Sequence, residues 1–224
     1  MNAREEVLAR VRTALSGGAA ASIDVPRGYR GEGDVRPSRA ELLDLFVERI
    51  TDYRAGVRRT PPDALAAAVA AALADGLVGR APAVATGTGR PRVVVPPGLP
   101  VEWLSAAEVD VVRDDQLTVD ELDRVDGVVT AAAVAVAETG TIVLDASPDQ
   151  GRRAVTLVPE LHVCVVRAEQ VVAGVPDAVA QLTPTRPQTW ISGPSATSDI
   201  ELDRVEGVHG PRTLEVVVVE AGKA

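Results

Sequence analysis

The spacing of apolar positions divides this sequence into a helical front third and a strand-rich remainder. Residues 2–15 predict a first helix, because their apolar side chains recur at helical spacing. That apolar stripe consists of Val7, Leu8, Val11 and Leu15. Ser38 followed three residues later by Glu41 is the signature of a capping box, so a second helix is predicted to begin there. The Pro61-Pro62 pair begins a third, alanine-rich helix, which Gly76 can end.

From about residue 82 onward, short apolar runs replace the helical spacing. The runs are rich in valine, as expected for strands that are buried on both faces of a sheet. They read APAVAT, RVVVP, DVVRD, GVVTAAAVAVAETGTIVLD, LHVCVV, QTWIS and TLEVVVVE. Helical patterns lie between several runs, at residues 119–124 and 176–182. Strands that alternate with helices predict an α/β fold with a mixed, largely parallel sheet.

Three parts are predicted along the chain. Residues 1–16 form the N-terminal helix, and residues 17–37, which contain glycine and proline without any period, form a flexible linker. Residues 38–224 then form the α/β domain.

Composition narrows the class of protein. The net charge of −9 disfavours nucleic acid as a partner, because such a surface repels phosphates. The apolar run from Ala131 to Leu144 is broken by Glu138 and Gly140, so no membrane span is predicted, and without an apolar signal core the chain is expected to be cytoplasmic. One cysteine, Cys164, cannot hold an iron–sulfur cluster alone and is interpreted as a buried small side chain on a strand.

The first candidate for chemistry is Glu138-Thr139-Gly140, where two apolar strands meet at a tight turn. Gly140 is free to adopt a positive φ there. The glutamate is either an exposed turn residue or a carboxylate presented at the mouth of a sheet.

The second candidate is the polar segment that follows the predicted strand TWIS. Ligands bind beyond the carboxyl ends of strands in open α/β sheets. Gly193 would let the backbone approach a ligand closely, and the N–H groups of Ser195 and Ala196 could cradle an anion. Further polar groups come from Ser192, Thr197, Ser198, Asp199 and Glu201. The alternative is a loop whose serine and aspartate side chains cap a helix.

The last candidates for chemistry are the two histidines and a metal site. His209, between two glycines, is either a hydrogen-bonded loop residue or an acid/base group near neutral pH. His162 begins an apolar strand and is predicted to be structural. No spacing of histidine, cysteine, aspartate and glutamate resembles a metal site, so no metal is predicted. The G-x-S-x-G elbow is also absent, so no hydrolase of that type is predicted.

Three of these stretches together resemble the LUD-domain family, and within it the lactate-utilisation protein C subgroup. They read AETGTIVLDASPDQGR, VPELHVCVV and ISGPSATSDIELDRVEGVHGPRTLEVVVV, and the resemblance covers about residues 38–219. It implies a three-layer α/β/α sandwich similar to the ribose-phosphate isomerase, glucosamine-phosphate isomerase and CoA-transferase group. It also implies a role in oxidising L-lactate to pyruvate, as one of three proteins encoded together.

The resemblance further implies that iron–sulfur clusters reside in the partner proteins and that this chain carries no cofactor. By position, it brings Glu138, Thr139, Gly140, residues 192–201 and His209 to one pocket. If the ligand is lactate, Glu138 or His209 could accept its proton there. Glu215 is a departure, because the subgroup often has a histidine there. Two alternatives stay open: a stand-alone isomerase or CoA-transferase that uses Glu138, and a non-catalytic scaffold whose N-terminal helix docks a partner.

Overall fold

The computed structural model describes residues 2–16, 37–79, 89–197, 205–206 and 210–221. The chain divides into two units, Met1–Gly33 and Asp34–Ala224. In the first unit, helix α1 (Ala3–Leu15) begins with a capping box, in which Asn2 accepts from the Glu5 N–H and Glu5 accepts from the Asn2 N–H. Nearly all of the predicted linker, residues 17–36, lies outside the described residues.

Within the described residues of the second unit, six strands form one sheet in which every pair is parallel. These strands are β1 (Gly56–Thr60), β2 (Arg92–Val95), β3 (Asp110–Arg113), β4 (Gly127–Ala131), β7 (Leu161–Arg167) and β12 (Thr213–Val219). Their spatial order is β1-β12-β7-β4-β2-β3. The valine runs occupy its centre, because only apolar side chains can cover both faces of a strand buried from both sides.

A second sheet contains the four strands β5 (Val134–Val136), β6 (Thr141–Leu144), β8 (Val171–Val172) and β9 (Thr189–Ile191). Their spatial order is β8-β5-β6-β9. The β5–β6 and β6–β9 pairs are antiparallel, and β5–β8 is parallel. The expectation of one mixed sheet is therefore wrong. Only Ala132 and Ala133 join β4 to β5, which is too short for a crossover, so the hairpin forms a separate sheet. A two-stranded antiparallel ribbon pairs β10 (Ala196–Thr197) with β11 (Val205–Glu206).

Helices occupy positions close to those predicted. They are α2 (Arg39–Asp52), α3 (Leu65–Gly76), α4 (Val119–Leu122), α5 (Arg153–Leu157) and α6 (Val175–Gln181), with short 3-10 turns at Pro62–Ala64, Val101–Leu104 and Ala168–Gln170. The capping box of Ser38 and Glu41 is confirmed. Nowhere in the described ranges is a helix both long enough and apolar enough to cross a bilayer.

The two faces of the parallel sheet have separate cores. On β12, Val217 and Val219 pack in one cluster with Leu73 of α3. Val216 and Val218 point to the other face and pack in a cluster that contains Phe46 of α2. The small sheet contributes Ala135, Ala137, Ile142 and Leu144 to that second cluster. Its opposite side packs against α6. This arrangement places α2 and the β5–β6 hairpin on the same face of the parallel sheet.

Candidate functional site

The Glu138-Thr139-Gly140 segment forms the turn between β5 and β6, as predicted, and Gly140 has a φ of 57°. Glu138 is exposed. Its N–H donates to the carbonyl of Ala173, and a Cβ added to Gly174 would lie 3.4 Å from its Oε2. The carboxylate therefore lies near Gly174, the N-cap of α6.

A chain of hydroxyl groups links this turn to β9. The Thr141 Oγ1 lies 2.7 Å from the Thr139 Oγ1 and 2.8 Å from the Ser192 Oγ, and Thr141 is 5% exposed. Two predicted site residues, Thr139 and Ser192, thus come together through a third residue that sequence reasoning did not single out.

Glycines in both candidate stretches have a packing role against the end of α2. A Cβ on Gly140 would lie 2.7 Å from the backbone C of Arg49 and N of Ile50. Gly193 has a φ of 83°, and its Cβ would lie 2.4 Å from the Cβ of Tyr53. Van der Waals repulsion excludes such short contacts of a real Cβ, and the close-packed surroundings leave little room for a shift. The closest described neighbours are therefore the last turn of α2 for Gly140 and Tyr53, the residue after α2, for Gly193.

The proposed anion cradle loses one of its donors. The Ser195 N–H donates to the Pro211 carbonyl at 2.8 Å, so it is not available to an anion. The prediction for that N–H is wrong because the segment returns beside the start of β12. Thr197 lies in β10, opposite Val205. The other predicted residues of this region, Ser198, Asp199, Glu201 and His209, lie outside the described residues.

A cavity of about 560 Å³ lies elsewhere, at the carboxyl edge of the parallel sheet. Gly98, which follows β2, and Ala132, which follows β4, line it. The loop after β6 supplies one wall, and Gln170 and Gln181 supply others. Open α/β sheets bind ligands at this edge. The volume is in the range of small-molecule sites.

The loop after β6, residues 145–152, is held in place from several sides. The Pro148 carbonyl accepts from the Gly98 N–H at 2.9 Å, and the Asp149 carbonyl accepts from the Ala131 N–H at 3.0 Å. Arg152 binds the buried carboxylate of Asp114 through two N–H groups, at 2.8 and 2.9 Å. These contacts tie the loop to the ends of β2, β4 and β3.

Asp145 is a buried charged residue of this loop and lines the cavity. It is 9% exposed and accepts hydrogen bonds from Ser147 and, at 2.7 Å, from Arg186. Burial raises the pKa of the Asp145 carboxyl, but the Ser147 and Arg186 hydrogen bonds outweigh it, so its pKa lies below the ordinary value. The carboxylate is therefore ionised and neutralised by Arg186.

Two glutamines present amide groups to the same cavity. Gln150 is 3% exposed, and its Oε1 accepts from the Asp145 N–H at 2.6 Å. Gln170 is held at both ends, with Oε1 accepting from the Arg167 N–H and Nε2 donating to the Ala132 carbonyl. Rotation of either amide would break these bonds, so their orientation is set before any ligand arrives.

The cavity and the Glu138 turn lie at opposite ends of the β5–β6 hairpin. Val134 at the start of β5 lines the cavity, and Glu138 follows four residues later. At about 3.3 Å per residue this is a separation of about 13 Å. Sequence reasoning missed the cavity, although one signal existed: the polar run DASPDQ follows a buried strand directly.

His162 and Cys164 lie inside the parallel sheet, as predicted for structural residues. His162 is 1% exposed, and its Nε2 lies 2.8 Å from the Thr130 Oγ1. Burial lowers its pKa to about 4, so the ring is neutral. Burial raises the pKa of the Cys164 thiol to about 12. A thiol of that kind is a poor nucleophile.

Glu215 is also largely buried, at 8% exposure, and lies over Gly56 on the neighbouring strand. Its Oε2 is 3.4 Å from the Arg58 Nη2, which also binds Asp75 at 2.7 Å. Burial raises the pKa of Glu215, and Arg58 opposes this rise. Across the described ranges, no group of three histidine, cysteine, aspartate or glutamate side chains could hold a metal ion.

Comparisons with known proteins agree with one another. A LUD domain model matches residues 39–219. The chain is 50% identical over 187 residues to the lactate utilization protein C of Deinococcus radiodurans, covering 81% of each chain. A lactate utilization protein C of Bacillus subtilis is 34% identical over 99 residues, or 41% of each chain. The crystal structure of a DUF162 family protein from D. radiodurans superposes with a TM-score of 0.65 and 42% identity, covering 82% of this chain and 99% of that chain.

Proposed function

This chain belongs to the LUD domain family, and from that membership we propose that it is a subunit of a system that oxidises L-lactate to pyruvate. The observation that carries the proposal is its 50% identity to the lactate utilization protein C of D. radiodurans along 81% of both chains. A shared fold alone would not carry a function. Identity at that level along most of both chains is a stronger premise than a shared fold.

The electrons go to partner proteins in this proposal. Oxidation of L-lactate to pyruvate releases two electrons and two protons, and iron–sulfur clusters of the partners accept the electrons. This chain has one cysteine, whereas a cluster is held by several thiolates. That cysteine is also buried in the sheet, with a thiol pKa raised to about 12. In this proposal, the chain's own contribution is to bind and position L-lactate.

For the binding region we propose the β5–β6 turn together with the segment after β9. The hydroxyl chain Thr139–Thr141–Ser192 supports this choice, because it joins the two segments beside the exposed Glu138. Glu138 and His209 are the proposed proton acceptors. The proposed binding residues are Thr139, Gly140, Ser192, Gly193, Ser195, Thr197, Asp199 and Glu201.

Complementation of a D. radiodurans strain that lacks its 50%-identical relative tests this proposal. We expect expression of this chain to restore growth on L-lactate as sole carbon source, as the strain's own gene does. Glu138→Gln should reduce growth, while Glu108→Gln, an exposed glutamate elsewhere on the surface, should not.

Two results would count against the proposal. Absence of growth, although the chain accumulates and the strain's own gene complements, would contradict the lactate role. Full growth with Glu138→Gln would remove Glu138 from the site but leave the lactate role standing.

A further inference from the structure

We propose that the cavity at the carboxyl edge of the parallel sheet binds adjacent hydroxyl groups of an uncharged sugar or nucleoside. This inference does not rest on the lactate proposal, because the cavity and the Glu138 turn lie at opposite ends of the β5–β6 hairpin. It rests on polar side chains in the cavity walls that are positioned before a ligand binds.

The first of these groups is a buried amide with an unused donor. Gln150 lines the cavity and is 3% exposed, and its only side-chain hydrogen bond to the described residues uses Oε1. Its Nε2 therefore lacks a partner among the described residues. This amide N–H group is therefore available to donate to an acceptor of a ligand in the cavity.

The second group is the Asp149 carboxylate. It lines the cavity, is partly buried, and makes no side-chain hydrogen bond within the described ranges. A carboxylate accepts through two oxygens and can bind two adjacent hydroxyl groups at once. It forms no ion pair with any of the described residues, and Arg186 is paired with Asp145, another residue of the cavity lining.

Together, Gln150 and Asp149 select the chemistry of the ligand. Among the described lining residues there is no lysine or arginine, so a phosphate or carboxylate would meet Asp149 without a counter-charge. An amine would satisfy Asp149 but not the Gln150 donor. A hydroxyl group donates and accepts, so a pair of hydroxyls satisfies both side chains.

Size and rigidity fit the same ligand. A volume of about 560 Å³ exceeds what a three-carbon acid fills and is in the range of sites for larger small molecules. Gln170, fixed at both ends of its amide, forms another preset wall. Preset polar groups lower the ordering cost of binding.

Isothermal titration of the full chain with adenosine and with D-ribose tests the proposal. Two control ligands share the adenosine scaffold: 2′-deoxyadenosine lacks the adjacent hydroxyl pair, and AMP adds a phosphate. We expect saturable binding of adenosine and weaker binding of both controls. Ribose that binds as well as adenosine would indicate a free sugar, and adenosine alone would indicate a nucleoside.

Variants locate the binding. Asp149→Asn keeps the shape and removes the charge, and it should weaken adenosine binding about ten- to a hundredfold, the range for a lost charge-assisted hydrogen bond. Asp115→Asn, an exposed carboxylate after β3, should bind like the unaltered chain. Gln150→Glu keeps the acceptor for the Asp145 N–H and removes the donor, so it should also weaken binding.

Four results would overturn the proposal. They are no saturable heat with either adenosine or ribose, 2′-deoxyadenosine binding as tight as adenosine, AMP binding as tight as adenosine, and unchanged affinity in Asp149→Asn. Equal melting temperatures of Asp149→Asn and the unaltered chain would show that any lost affinity is local.

Discussion

Replacing Gly140 with alanine tests whether the turn between the two hairpin strands is held by α2. The glycine lies in a stretch predicted from sequence to contact a ligand, yet its close neighbour is the backbone of Arg49 and Ile50. An added Cβ would lie 2.7 Å from two backbone atoms and 3.0 Å from the Cβ of Arg49. Backbone cannot rotate away as a side-chain end can, so α2 or the turn must shift.

Two terms set the expected loss of stability for Gly140→Ala. The positive φ of 57° costs an L-residue about 1–2 kcal/mol. The overlap with α2 costs about 1–3 kcal/mol, as for overpacking in a core. Alanine also lowers the conformational entropy of the unfolded chain, which offsets about 0.4–1 kcal/mol of this loss. The net expected loss is about 1–5 kcal/mol, with a midpoint of about 3 kcal/mol.

The chain offers a matched control in Gly79. Its φ is 73°, and no described atom lies within 4 Å of the position of an added Cβ. Gly79→Ala should therefore lose only about 1 kcal/mol, from the backbone term alone. Urea unfolding of both variants measures the difference, with equal m-values as the check that both follow the same transition. Equal losses in the two variants would refute the packing of α2 on this turn.

Three further predictions concern buried groups. The pKa of His162, about 4, lies below its unfolded value near 6.5, so the folded state loses stability as the pH falls from 6.5 to 4. In urea unfolding, the unaltered chain should therefore lose about 2 kcal/mol more than His162→Gln between pH 7 and pH 5. Equal losses in the two proteins would contradict the burial of His162. Cys164, with a thiol pKa raised to about 12, should react with an aromatic disulfide reagent at pH 8 only as fast as the chain unfolds; rapid labelling in native buffer would argue against this placement. Gly56→Ala places a Cβ 2.1 Å from the Glu215 Oε1, so it should lower the stability by about 2 kcal/mol, and by much less in a Glu215→Ala background. If calorimetry shows that the losses of the two substitutions add, Gly56 and Glu215 are not in contact.

The sequence predicted most helices and central strands because each carries its own periodic signal. It missed β1, because Gly56–Thr60 contains a single aliphatic residue beside two arginines. That strand lies at the sheet edge and gains its burial from β12, which is far away in sequence. Charged residues are typical of edge strands. The separate small sheet was missed as well, because alternation shows that strands exist but not which sheet receives them.

The candidate site was only partly visible for the same reason. The β5–β6 turn follows from local pattern, whereas the contact of Thr141 with Ser192 joins residues 51 positions apart. The cavity is assembled from the ends of several elements, and no single stretch contains it. Asp149 and Gln150 carried a local cue, a polar run after a buried strand, but only the fold shows that they face a cavity.

Reconstitution with the iron–sulfur partner proteins tests the central claim most directly. Anaerobic mixtures containing L-lactate and an electron-accepting dye would be compared with and without this chain. The proposal predicts dye reduction only when the chain and its partners are all present, and none with the chain alone. Lactate oxidation by the isolated chain, or full activity of the partners without it, would contradict the proposed role.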